Sequence, residues 1–347
     1  MIDYIIVGSG LAGIAFAETA LQSNRSILMF DNHSQNSSRI AGGLYNPVIL
    51  KRFSGIAYAQ QHLDVMNAFY KSLEAKLKCQ FNFQLPVLRK FHSVEEQNNW
   101  FMASDKIAMA NFLSDTIIET NYQGIDSPFD YGEVLQTGFV DTKNLLLKYH
   151  QYLQTQNILV SDSFKYQLLE VRPDTVAYGD TEAKHVIFAE GFGIHANPYF
   201  NFLPLDGTKG ELFIIKAPNL KLDVIVNTSV FILPLGDDLY KVGATYNWED
   251  KTDQTTSAGK AELVARISEI LNCNFEIIEH LAGVRPTVKD RKALVGTHHK
   301  YKNLHILNGL GTRGVMLGPA MAKTLFGHIE YGSEIPREIN ITRFKGA

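Results

Sequence analysis

Three glycines, spaced as Gly8-Ser9-Gly10-Leu11-Ala12-Gly13, follow directly on the apolar run Tyr4-Ile5-Ile6-Val7, and Asp31 comes eighteen positions after Gly13. Each glycine has a task in holding a diphosphate. Gly8 permits a tight turn, Gly10 lets the backbone approach the pyrophosphate, and Gly13 lets helix and strand pack closely. The helix opening at Leu11 and Ala12 presents free N–H groups and the positive end of its dipole to the phosphates. The Asp31 carboxylate suits a ribose diol and repels a 2′-phosphate. A glycine turn that binds nothing is the competing reading. With strand, helix and acid all in order, a dinucleotide site is expected. The motif alone does not separate FAD from NAD.

The elements that position these residues follow from apolar periodicity. Tyr4–Val7 and Ile27–Phe30 read as strands buried on both faces, with a helix between them. Phe53–Leu77 reads as a long amphipathic helix and Thr142–Gln154 as another, capped by Asp141 or Thr142. His185–Ala189 forms a strand closed by glycines. Between 205 and 245 the runs Glu211–Ile215, Val224–Val226, Val230–Leu233 and Tyr240–Val242 alternate like antiparallel strands. Ser257–Leu271 returns to helix. Leu304–Leu307 is a strand, and a last helix runs from about Gly318 to His328, with Pro319 at a tolerated first-turn position. With 347 residues, no repeat and no long linker, two domains are expected, the second inserted into the first.

Further glycine-rich and basic segments stand near these elements: Asn36-Ser37-Ser38-Arg39-Ile40-Ala41-Gly42-Gly43-Leu44, then Gly283-Val284-Arg285-Pro286, and 24 positions after Arg285 the run Gly309-Leu310-Gly311-Thr312-Arg313-Gly314-Val315-Met316. Together with Val186–Gly193, Pro204–Gly210, Val242–Thr245 and Arg343-Phe344, the chain resembles the D-amino-acid oxidase and glycine oxidase family of FAD enzymes from Met1 to Phe344. The resemblance implies an α/β fold: a Rossmann-like FAD-binding domain (1–50, 136–204 and 284–347) and an inserted, mainly antiparallel α+β substrate domain (51–135 and 205–283). It extends the cofactor set from Gly8, Gly10, Leu11, Ala12, Gly13 and Asp31 to Ser37, Ser38, Gly43, Leu44, Ala189, Gly191, Gly311, Thr312, Arg313, Gly314, Val315 and Met316. Relatives that attach flavin covalently use a cysteine near the last glycine turn. None lies between 274 and 347, so non-covalent FAD is expected.

The resemblance also implies hydride transfer from the carbon beside an amine, with Arg285 holding the substrate through its planar fork. A salt bridge at a strand end is the alternative for Arg285. Tyr246 and Arg313 join it as catalytic candidates, Arg313 either beside the flavin's pyrimidine edge or facing solvent. Tyr45, Asn46, Lys51, Arg52, Phe231 and Trp248 are pocket candidates of lower standing. Two residues depart from the family pattern: Glu190, where a small or hydroxyl residue is usual, and Phe231, where several relatives carry a tyrosine that touches substrate. The run Gly309–Gly314 is closer to the FAD domain of the bifunctional enzyme making 5-methylaminomethyl-2-thiouridine in tRNA, so oxidation of a modified wobble uridine is a second reading. A non-catalytic flavoprotein is a third.

Composition narrows the partners. Net charge is −3 with no basic excess, which argues against nucleic acid, and the resemblance implies a small amine or amino acid as the substrate. There is no Ser-His-Asp or paired-carboxylate signature. His298-His299 has no ligand cluster around it, so no metal is expected. Cys79 and Cys273 read as free thiols. The start lacks a cationic leader, and no segment reads as a membrane span, so a cytoplasmic protein is expected.

Overall fold

The computed structural model describes residues 1–344, and in it the Ile2–Val7 strand lies inside a mostly parallel sheet. The parallel order is Leu159–Val160, Ile27–Phe30, Ile2–Val7, Thr181–Phe188 and Leu304–Asn308. Leu294–Thr297 adds an antiparallel edge beyond Leu304–Asn308. The ribbon Leu169–Val171 and Val176–Tyr178 covers the first half of Thr181–Phe188. Tyr4, Ile5 and Ile6 are wholly buried, as a strand covered on both faces requires. The helices Leu11–Gln22 and Gly314–Tyr331 pack against each other on one face. The loops at the carboxyl ends of the parallel strands carry Gly8, Asp31, Ala189 and Gly309, which is where ligands bind in open α/β sheets.

A second sheet of eight strands is antiparallel apart from the pair Ile225–Asn227 and Val87–Lys90. Its longest ladder runs from Thr208 opposite Arg285 to Lys216 opposite Glu276. The helix Ser257–Ser268 packs on Thr208–Lys216 through Leu263 and Ile267, which are wholly buried. No helix among the described residues is long and apolar enough to cross a membrane.

Two helices begin elsewhere than their periodicity predicts. The expected helix from Phe53 starts at Ala59. Phe53 and Tyr58 take left-handed backbone, and Ser54–Gly55 instead pairs with Val48–Ile49 in a short hairpin. The last helix starts at Gly314 rather than Gly318, so Pro319 falls in its second turn and not its first. A proline there cannot donate to the carbonyl four residues back, that of Val315. The buried Tyr70 hydroxyl donates to that carbonyl at 3.0 Å and replaces the missing bond. Tyr70→Phe therefore orphans a buried acceptor and is expected to cost about 1–3 kcal/mol, read as a lower denaturant midpoint with unchanged slope.

Candidate active site

A cavity of about 1260 Å³ runs from the carboxyl ends of the parallel strands to the face of the antiparallel sheet. Its walls include the first glycine turn, Asp31, the segment from Ser37 to Leu44, Ala189–Gly191, Arg285, Tyr246 and the turn Gly311–Val315. Residues far apart in sequence thus line one continuous space.

At the strand end, Gly8 has φ +98° and an added Cβ would stand 2.5 Å from the Ala189 carbonyl oxygen. A Cβ at Gly13 would overlap the Gly8 carbonyl itself, so the turn and helix approach as closely as the backbone allows. Asp31 accepts from the Ser9 N–H and the His33 N–H, each at 2.6 Å, which clamps the carboxylate at the rim of the turn. Leu11 N donates to Ser38 Oγ at 3.2 Å, tying the helix start to the next segment. The structure also brings Ser9, Asp31 and His150 together, a grouping the sequence does not announce. Ser9 Oγ donates to Asp31, and His150 Nε2 lies 2.6 Å from the same oxygen. With the serine proton directed at Asp31, the histidine acts as donor, so this is a positioning network and not an activated nucleophile.

Glu190 turns away from the glycine turn, accepting from the Tyr166 hydroxyl and from Asn197 Nδ2 at 2.7 Å. Burial outweighs both bonds and raises its carboxyl from 4.5 to about 7. Between those values the folded chain keeps a proton that the unfolded chain has released. Stability is therefore greatest at low pH and falls as pH rises toward 7, by on the order of 3 kcal/mol. Denaturant midpoints at pH 5 and pH 8 should differ for the wild type, and Glu190→Gln should remove most of that difference.

At the other end stands Arg285. Among the described residues its guanidinium bonds only backbone carbonyls, with Nη1 donating to Thr245 O at 3.2 Å and to Lys209 O at 3.4 Å. Among the described residues no carboxylate pairs with it. Burial pulls its pKa down from the usual arginine value, with Tyr246 opposing that shift. The Tyr246 ring faces the guanidinium at 4.5 Å from its centroid, a cation–π contact that fixes the plane of the fork. Gly210 is needed beneath it, because a Cβ there would overlap Nη2 and Cζ. The loop carrying Tyr246 is held to the Thr208–Lys216 strand by reciprocal bonds between Lys209 and Asn247 and by the buried Lys209–Asp250 ion pair.

Most of the residues expected at the site line this cavity: Gly8, Gly10, Leu11, Ala12, Asp31, Ser37, Ser38, Gly43, Leu44, Ala189, Gly191, Tyr246, Arg285, Gly311, Thr312, Arg313, Gly314 and Val315. Gly13 and Met316 do not. Gly13 serves the helix–strand contact, and Met316 is buried in the core beneath the turn. Arg313 is half-buried, and its pKa is lowered by burial and by Arg291. Asn46, Lys51, Phe231 and Trp248 also line the space, whereas Tyr45 is packed in the core with its hydroxyl pushed up to about 12 by burial. Arg52 is exposed and outside the lining. The His298 and His299 rings do not diverge but stack at 4.5 Å. Sequence reasoning passed over Asn308, whose side chain donates to Gly191 O at 2.9 Å and accepts from Gly309 N at 2.8 Å, joining two glycine turns. An asparagine ending a buried strand is the signal that was present. Arg291 was missed too.

The lining fits FAD. A glycine turn with no room for a Cβ at Gly8 or Gly13 meets a helix start at one end, an acid is held at the rim, and a second helix begins at Gly314 further along the same space. The sequence matches the family of FAD dependent oxidoreductases termed DAO over residues 3–326. Glycine oxidase of Bacillus subtilis is 21% identical over 346 residues, covering 92% of this chain and 90% of its own. The bifunctional tRNA 5-methylaminomethyl-2-thiouridine biosynthesis protein of Aromatoleum aromaticum is 25% identical over 199 residues, 50% of this chain and 31% of its own. Among solved structures, glycine oxidase from Geobacillus kaustophilus superposes with a TM-score of 0.77 at 18% identity, covering 99% of both chains. Iminodiacetate oxidase from a Chelativorans species gives 0.77 at 17%, covering 96% of this chain and 97% of that one. Fold, cavity and sequence match agree, and the chain belongs to the DAO family of FAD dependent oxidoreductases.

Proposed function

We propose that the protein oxidises the C–N bond of a small amine or amino acid that carries a carboxylate. The observation that carries this reading is Arg285, a half-buried arginine on the cavity wall whose hydrogen bonds to the described residues come from Nη1 alone. Nη2 and Nε remain to meet a carboxylate with the geometry a planar fork favours. Bound FAD supplies the acceptor for a hydride from the carbon next to the amine, and water hydrolyses the resulting imine. Tyr246 sets the plane of the guanidinium and so the position of the substrate's carbon. Phe231 packs its ring between Gly42 and Gly243 and gives the cavity an apolar wall that excludes water. No residue is needed as a strong base if the amine arrives neutral, so positioning and electrostatics carry the rate.

In this reading the cofactor set named above would hold FAD without a covalent bond, with the N–H groups of Gly311–Val315 and Arg313 offering positive charge to the reduced flavin. The segments 1–50, 136–204 and from 284 onward form its domain, and 51–135 and 205–283 form the substrate domain. The last three residues of that assignment lie outside the described ones. The test is anaerobic mixing of the holoprotein with glycine, sarcosine, iminodiacetate and both enantiomers of alanine and proline. Bleaching of oxidised flavin by one or more of them supports the reading. Stable yellow colour with every one of them, and with a wider amine panel, overturns it.

A second reading has one observation in its favour. Tyr246 and Trp248 are 58% and 38% exposed at the cavity mouth beside arginines, an arrangement suited to stacking a nucleobase. The partial likeness to the tRNA-modifying protein points the same way. Unchanged wobble uridines in tRNA from a deletion strain would eliminate it.

A further inference from the structure

Six cations line the cavity: Lys51, Arg89, Arg266, Arg285, Arg291 and Arg313. Arg89 is paired with Glu96 and Arg266 with Glu262. The acids in the lining are Asp31, Asp162 and Glu190. Asp31 is clamped by the first glycine turn, Glu190 is held by Tyr166 and Asn197, and Asp162 accepts from Ser163 N. Among the described residues, Arg285 and Arg291 in the lining therefore have no acid paired with them.

Arg291 is singular among these. It sits at φ +58°, a left-handed conformation that costs a non-glycine residue on the order of 1 kcal/mol. Its guanidinium lies over the Trp248 ring at 5.4 Å, as that of Arg285 lies over Tyr246. The neighbouring Asp290 cannot neutralise it, being taken by Arg343 at 2.8 Å. Tyr246 and Trp248 flank Asn247, which is bonded in both directions to Lys209, and the chain bends just after it. Their Cα atoms can be no more than about 7 Å apart. The two arginines are thus held on neighbouring rings of one cavity wall, a pairing that suits two anionic groups joined by a short aliphatic chain.

We infer that Arg291 on Trp248 forms a second anion subsite, so that the preferred substrate is a dianion with one carboxylate on Arg285 and a further carboxylate or phosphate group at the cavity mouth. This rests on the reading of Arg285 given above and adds the substrate class. The second anion does no chemistry. It aligns the chain between the two charges, and Trp248 keeps the Arg291 fork flat against it.

The test is calorimetric titration of the holoprotein with three non-reactive acids: butyrate, glutarate and 3-phosphonopropionate. Wild type should bind at least one of the two dianions tenfold or more tightly than butyrate. A preference for glutarate assigns a carboxylate to the mouth, and one for the phosphonate assigns a phosphate group. In Arg291→Gln the preference should fall to within about twofold while butyrate binds as before. Arg291→Gly relieves the left-handed backbone and keeps the fold, and it should lose the preference equally. A dianion preference retained in both variants, or equal binding of all three acids by wild type, overturns the subsite and leaves Arg285 standing. If wild type binds none of the acids, the carboxylate role of Arg285 falls and the subsite with it.

Discussion

Arg285→Ala is expected to lower kcat/KM for carboxylate-bearing amines by about 30-fold to several thousand-fold, the range that follows from removing one member of a buried, hydrogen-bonded charge pair at roughly 2–5 kcal/mol. The arginine is half-buried, has no acidic partner among the described residues, and is held by two carbonyls and one aromatic face. Its removal exposes no orphaned acid, so the fold and the FAD content should be preserved. The loss should fall selectively: an amine of similar size without a carboxylate should be affected far less. Arg285→Lys keeps the charge but not the planar fork, and it should recover only part of the loss. Steady-state kinetics on matched substrates with and without the carboxylate read this directly. Equal loss for both would place Arg285 in the fold rather than at the substrate.

The second large effect is expected at the first turn. A side chain at Gly13 meets the Gly8 carbonyl oxygen, which is backbone and has no rotamer to yield. Gly13→Val therefore pushes the helix Leu11–Gln22 away from the turn, and its N–H groups away from a bound diphosphate. Strain of about 3 kcal/mol or more corresponds to FAD binding weakened by at least about 100-fold. The variant should purify with little or no flavin, measured as the ratio of flavin to protein absorbance. Full occupancy with unaltered affinity would show that the turn does not carry the diphosphate.

Much of this was legible in the sequence because it is local. The strand Ile27–Phe30 appears as drawn, and the helix from Thr142 begins where Asp141 caps it, its carboxylate accepting from Asn144 N at 3.1 Å. What was not legible is set by partners distant in the chain. Pro319 reads as a helix start until Tyr70, some 250 positions earlier, proves to supply its missing hydrogen bond. Phe53 belongs by periodicity to the following helix, yet the pairing of Val48–Ile49 with Ser54–Gly55 stops it short. The grouping of Ser9, Asp31 and His150 requires the helix bearing His150 to pack at the sheet's end, which no local pattern states. In the sequence Arg291 is one charge in the run Lys289-Asp290-Arg291-Lys292, and only its place over Trp248 distinguishes it.

Amine oxidation by this protein requires a bound flavin within reach of Arg285. Titrating the oxidised holoprotein with a small non-reactive carboxylate and following the flavin absorbance bands tests it. A saturable spectral shift in wild type that vanishes in Arg285→Ala is the predicted result. A flavin spectrum indifferent to the ligand in wild type, or a shift that survives the substitution unchanged, would contradict it.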